Sequence, residues 1–155
     1  MKEAELKNQI KKEVEEFINK LSFEGEAEVE IEKETIKINV KSSEAKLLIG
    51  EGGTILLSLQ HLLRKILRKK FCQDKIFDLD INEYKRKKEN YLKELANTVA
   101  DEVALTKKPK ELEPMPAYQR RIIHLELAKR NDVTTESIGE EPNRRVVIKP
   151  VSAQL

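Results

Sequence analysis

The sequence predicts an α+β fold in two small domains. Three observations lead there. Apolar residues recur at three- and four-residue steps over several stretches, period-two apolar runs lie between them, and 155 residues are enough for two small cores.

Leu6, Ile10, Val14, Phe17, Ile18 and Leu21 follow the helical step, so the chain opens with an amphipathic helix that Gly25 is expected to end. Ala27, Val29 and Ile31 then alternate with Glu28, Glu30 and Glu32, and Ile36, Ile38 and Val40 alternate with Lys37 and Asn39. These are two strands with one wet face, turned at Lys33-Glu34, and their surface charges can pair across the strands. Ser42 or Ser43 is the expected cap of a short helix in the segment SEAKLLI, which Gly50-Glu51-Gly52-Gly53 interrupts. Thr54 is the expected cap of a longer helix. Its inner face is read as Ile55, Leu59, Leu62, Leu63, Ile66 and Leu67, and its outer face as Arg64, Lys65, Arg68 and Lys69. Ile76–Ile81 reads as a third strand, so the order to this point is α-β-β-α-α-β.

A long helix follows from near Asn82, with Tyr84, Tyr91, Leu92, Leu95, Val99 and Val103 as its apolar stripe. Pro109, Pro114 and Pro116 punctuate the next stretch, with a short strand at Leu112. A helix over Ala117–Lys129, a turn at Asn131-Asp132, a strand over Val133–Ser137, a loop over Gly139–Asn143 and a strand over Arg145–Lys149 complete the chain, with Pro150 as the stop. The expected domains are residues 1–81 and 82–155.

Charged residues make up 37% of the chain, yet the net charge is only +2, so any argument for an anionic partner rests on where the charges sit. Residues 1–60 hold 9 basic and 13 acidic side chains, whereas His61–Lys70 holds five Lys and Arg and no acid. Such runs are usually solvated helix faces, and gain meaning only when folding gathers them on one side. The single cysteine, Cys72, excludes an intramolecular disulfide and reads as a small buried hydrophobe. No stretch nears the roughly 20 apolar residues of a membrane span. The opening MKEAELKNQIKKEVEEF is too charged for a secretory signal, so a cytoplasmic setting is expected. His61 and His124 are the only histidines, so neither a metal site nor a cofactor is expected. A lone His without a second titratable group at fixed spacing makes no catalytic site, so no enzyme is expected.

Two constellations remain. In Ile49-Gly50-Glu51-Gly52-Gly53 the glycines permit positive φ and close backbone approach, and the following helix offers free amide groups. That geometry suits a phosphodiester backbone. A G-x-x-G turn between two helices, in α-β-β-α-α-β order, resembles the KH domain of the prokaryotic arrangement. The resemblance implies that Gly50, Glu51, Gly52 and Gly53 clamp about four nucleotides, with Ile49, Leu48 and Ile55 lining a groove for bases. Arg64, Lys65, Arg68 and Lys69 would extend the electrostatic track. Glu51 departs from the family, whose variable pair is basic or polar, and an anion at a phosphate clamp opposes binding.

In the second constellation, Arg120 and His124 stand four apart and share a helix face beside Arg121, where an exposed pair could contact one phosphate. The stretch from Leu112 to His124, together with Thr135–Ile148, is very like the Arg-three-His domain, named for its R-x-x-x-H motif and built on a small, mainly antiparallel sheet. A KH domain followed directly by this domain resembles the bacterial Jag, or SpoIIIJ-associated, family. The resemblance implies binding of single-stranded nucleic acid, RNA first and single-stranded DNA as a further ligand. Arg120 and His124 would be the signature residues, open to solvent, with Arg144 close by. It also implies a homodimer or a small KH-protein partner. Many Jag proteins carry a further N-terminal domain, and this sequence begins at the KH helix, so a short form is expected. The leading expectation is a post-transcriptional regulator. The other is a protein–protein adaptor in control of cell-envelope growth or sporulation.

Overall fold

The computed structural model describes residues 2–71 and 74–152. Cys72 lies outside them, so its expected burial has no structural counterpart here. The chain divides into two compact units, residues 1–85 and 86–155. Both mix helices with a small three-stranded sheet.

In the first unit the elements run α1 (Glu3–Lys20), β1 (Glu26–Ile31), β2 (Thr35–Lys41), α2 (Ala45–Ile49), a 3-10 turn (Glu51–Gly53), α3 (Thr54–Phe71) and β3 (Ile76–Ile81). The sheet order is β1-β2-β3, with β1 antiparallel and β3 parallel to β2. Ile36, Ile38 and Val40 of β2 and Phe77, Leu79 and Ile81 of β3 form the buried face. They pack with Leu6, Ile10, Val14 and Ile18 of α1 and with Leu56, Leu63 and Leu67 of α3. On the wet face Lys41 pairs with Glu28 across the strands at 2.6 Å, as the alternation implies.

Gly25 does not end α1. The helix stops at Lys20, where Ser22 adopts φ 67° and the Phe23 N–H reaches back to the Ile18 carbonyl. Gly25 instead serves packing: a Cβ there would lie 2.7 Å from Val40 Cγ1, inside the core.

The inner face of α3 also differs from the expectation. Leu56, Gln60, Leu63 and Leu67 are buried, while Ile55 is 44% and Leu62 48% exposed. Two stripes with identical spacing compete: 55-59-62-66 is apolar throughout, and 56-60-63-67 contains a glutamine. They lie about 100° apart on the helix. The second wins because Gln60 accepts the Leu79 N–H at 3.1 Å, giving the open edge of β3 a partner. Arg64 Nε donates to the Phe77 carbonyl on the same strand at 2.5 Å. The β1 edge is treated alike, with the Ala27 N–H donating to Glu15 and its carbonyl accepting from Lys11 Nζ. Side chains thus occupy strand-edge groups that would otherwise invite another strand.

The second unit holds α4 (Tyr84–Thr106), whose first residues fall in the preceding unit, then β4 (Lys110–Glu111), α5 (Ala117–Leu127), β5 (Val133–Ile138) and β6 (Arg145–Pro150). The sheet is β4-β6-β5 and antiparallel throughout. Leu92, Ala96, Val99, Ala100 and Val103 of α4 and Ile123 and Leu127 of α5 pack with Val133, Val146 and Ile148. Tyr91 is not part of that stripe. It is exposed, with the Lys88 ammonium 5.2 Å from its ring centre, a cation–π contact that suits a wet face. Pro150 does not stop β6 but is its last residue, opposite Val133, where its missing N–H costs least.

Gly25→Ala is expected to cost about 1–3 kcal/mol, because Val40 is buried and cannot yield to the added methyl. Urea denaturation of both proteins measures this. An unchanged midpoint would mean the strand shifts freely.

Candidate nucleic-acid interface

The Gly50–Gly53 turn joins α2 to α3. Gly50, Gly52 and Gly53 have φ of 73°, 62° and 81°, which favour glycine. A Cβ at Gly50 would lie 2.6 Å from Ile55 Cγ1, so this glycine serves the close approach of Ile55, whereas the space above Gly52 is open. Thr54 is not a cap. It is the first helical residue of α3, and its hydroxyl donates to the Glu51 carbonyl at 3.0 Å. Neither Ser42 nor Ser43 caps α2. Ser42 Oγ accepts the Glu44 N–H and donates to the Glu24 carbonyl, which shapes the entry to the helix. Leu48 is buried in the core and cannot line a groove, Ile49 is partly buried, and Ile55 is exposed. Glu51 is exposed and makes no ion pair among the described residues.

Of the expected basic track on α3, Arg64 is committed through Nε to the β3 edge and is partly buried. Lys65 and Arg68 are exposed and have no partner among the described residues, and Lys69 is exposed as well.

In the second unit Arg120 and His124 do share one face of α5, but they are not both open to solvent. Arg120 is 8% exposed. Its Nε donates to the Met115 carbonyl at 3.1 Å, and its Nη2 donates to Glu141 Oε1 at 2.5 Å. A guanidinium withdrawn from water needs a counter-charge and acceptors, and the fold provides them. His124 is partly buried. Its Nδ1 lies 2.7 Å from Thr135 Oγ1 and its Nε2 lies 2.8 Å from Ser137 Oγ. Burial pushes the imidazole below its ordinary pKa, and the Arg120 charge pushes the same way.

Arg121 is exposed with no partner among the described residues. Arg144 is partly buried, and its Nη1 donates to the Gly139 carbonyl at 2.8 Å, so it braces the loop that carries Glu141. Sequence reasoning missed Met115, Thr135, Ser137 and Glu141. The two hydroxyls were legible in principle, since residues two apart on a strand share a face. Glu141 was not, because loop geometry alone brings it to Arg120. No group of three or more His, Cys, Asp or Glu able to hold a metal occurs among the described residues.

The lowered imidazole pKa gives a signed pH dependence. The folded chain takes up this proton less readily than the unfolded chain, whose His titrates near 6.5. The contribution to stability is therefore complete above that value and lost as the pH falls below it. Hydrogen exchange across β5, followed from pH 7.5 to 5, should show reduced protection at the acid end in the parent protein and a flatter profile in His124→Gln.

Comparison with known proteins adds to this geometry. Residues 90–150, which include Arg120, His124, Glu141 and Arg144, match the Arg-three-His domain family. The RNA-binding protein KhpB of Clostridium symbiosum is 40% identical over 119 residues, covering 77% of this chain and 53% of that protein. The protein of that name from Bacillus subtilis (strain 168) is 36% identical over 128 residues, covering 80% of this chain and 62% of its own length. The one from Lactiplantibacillus plantarum is 32% identical over 131 residues, covering 84% of this chain and 41% of that protein. The chain thus spans about half the length of the curated relatives it matches. Residues 90–150 are thus similar to the Arg-three-His domain, and most of the chain is similar to proteins named RNA-binding protein KhpB.

Proposed function

We propose that this chain is a non-catalytic binder of single-stranded RNA, and also of single-stranded DNA, acting in the cytoplasm as a post-transcriptional regulator. The observation that carries the reading is the Arg120–His124 pair on one face of α5, fixed by dedicated partners and flanked by Arg121, which is exposed and has no partner among the described residues. Arg120 is enclosed in the free chain, so the exposed Arg121 beside it is the first group on α5 offered to a phosphodiester. The names of the relatives agree with RNA as the ligand. Catalysis has little support, since both imidazole nitrogens are engaged by hydroxyls and no carboxylate among the described residues orients the ring.

We read residues 1–81 as a KH domain of the prokaryotic arrangement and residues 82–155 as the Arg-three-His domain, in the manner of the Jag family. In the first, Gly50–Gly53 would approach the backbone through the open space above Gly52, with Lys65 and Arg68 as supporting cations. Two weak sites on one strand bind more tightly together than either does alone. Arg121→Gln tests the reading without disturbing the core. Affinity for a fluorescent mixed-sequence single-stranded RNA should fall several-fold, and the slope of log K against log salt should shrink by roughly 0.7. Unchanged affinity and slope would remove α5 from the interface.

A second reading, a protein–protein adaptor working through the first unit in envelope growth or sporulation, is favoured by the apolar stripe left open on α3. Ile55 and Leu62 lie on it, exposed, and Glu51, which makes no ion pair among the described residues, sits at its head. The occupant would be a second copy of the chain or a small KH protein. Light scattering decides: a dimer that Leu62→Asp converts to a monomer supports this reading, and a monomer at all concentrations rules out self-pairing.

A further inference from the structure

We propose that Glu141 is an internal stand-in for a phosphate, held on Arg120 in the free protein and displaced when a strand binds. This deepens the reading above and rests on it.

The Arg120 guanidinium has an inner and an outer end. Its Nε is fixed to the Met115 carbonyl, and its Nη2 meets the Glu141 carboxylate. A carboxylate and a phosphodiester accept from the same kind of guanidinium edge. They cannot share it comfortably, because two anions on one cation repel each other. The pair is unequal in burial: the Arg120 side chain is 9% exposed and that of Glu141 60%. The cation is therefore the fixed member, and the anion is the one that can return to water.

The surrounding contacts permit that exchange. Gly139 is held by Arg144 Nη1 and Asn143 by Arg145 Nη1, both through backbone carbonyls, while the Asn143 N–H donates to the Glu140 carbonyl. Both ends of the loop are thus braced by groups other than Glu141, whose side chain bonds only to Arg120 among the described residues. The exchange therefore moves the Glu141 side chain and leaves the braced ends of the loop where they are. His124 stays in place meanwhile, because Thr135 and Ser137 hold it from β5. Free Arg120 remains aimed by Met115, so the incoming phosphate finds a site already formed. Glu141 then sets a threshold: an anion that merely pairs electrostatically with the surface does not displace it, whereas a phosphodiester that also contacts Arg121 does.

The test measures binding of the same fluorescent single-stranded RNA to the full chain carrying Glu141→Gln, Glu140→Gln, Arg120→Gln, or Arg120→Gln with Glu141→Gln. Glutamine keeps a hydrogen-bond acceptor for Arg120 but removes the competing charge. Glu140 is the exposed neighbour, so its variant makes the same change in net charge without touching Arg120. Glu141→Gln should bind roughly two- to fivefold more tightly, the size of a part-exposed ion pair. Glu140→Gln should gain distinctly less, and the gain at Glu141 should vanish in the Arg120→Gln background. Thermal melts establish that each variant is folded. Binding of Glu141→Gln equal to or weaker than that of the parent overturns the inference while leaving Arg120 as a contact, as does an equal gain from Glu140→Gln. Parent-like binding by folded Arg120→Gln overturns the underlying reading instead, and the two failures are told apart by that variant.

Discussion

Arg120 is a cation taken out of water, and the second unit is arranged around that fact. Its helix, α5, presents the guanidinium to the Met115 carbonyl at one end and to the Glu141 carboxylate at the other. The imidazole one turn on is drawn into the same polar layer by hydroxyls of β5. Burial without these partners would leave donors unsatisfied and a charge unneutralised, each costly in a low dielectric. The loop after β5, the segment before α5 and alternate residues of β5 are therefore coupled through two side chains of α5, Arg120 and His124. Strand pairing of β5 with β6 and the braces from Arg144 and Arg145 keep that coupling in register.

The first unit answers a different demand, that of an open sheet with two edges. Lys11 and Glu15 reach from α1 to Ala27, and Gln60 and Arg64 reach from α3 to β3. These contacts decide which stripe of α3 turns inward. They also explain an apolar surface on that helix: once Gln60 faces the sheet, Ile55 and Leu62 are left facing water. Arg64 changes meaning for the same reason, from a member of a basic run to a tie across a strand edge. Lys65 and Arg68, on the outer side, keep the character the charge pattern suggests.

The element order, the long helices and the strands were legible because apolar spacing reports a buried face directly. Leu6, Ile10, Val14 and Ile18 fill the core as their spacing implies, and Ile36, Ile38 and Val40 alternate inward. Where the reading slipped, a second physical term overrode spacing. Gly25 looked like a helix stop, but the left-handed turn falls on Ser22 and the glycine makes room for Val40. Tyr91 fitted an apolar stripe, yet small Ala96 and Ala100 bring α4 close to its neighbours while the tyrosine stays outside under Lys88.

By itself the sequence determined the two α+β units, the glycine turn between α2 and α3, and the placement of Arg120 and His124 on one helix face. All of these follow from periodicities of a few residues, which are local. Only the tertiary structure decided that Arg120 is enclosed rather than exposed, that Glu141 is its counter-ion 21 residues away, and that Thr135 and Ser137 hold His124. Those pairings depend on how a strand and a loop pack against a helix. They are set by the need to satisfy buried charge and hydrogen bonds, and no short-range pattern encodes that need.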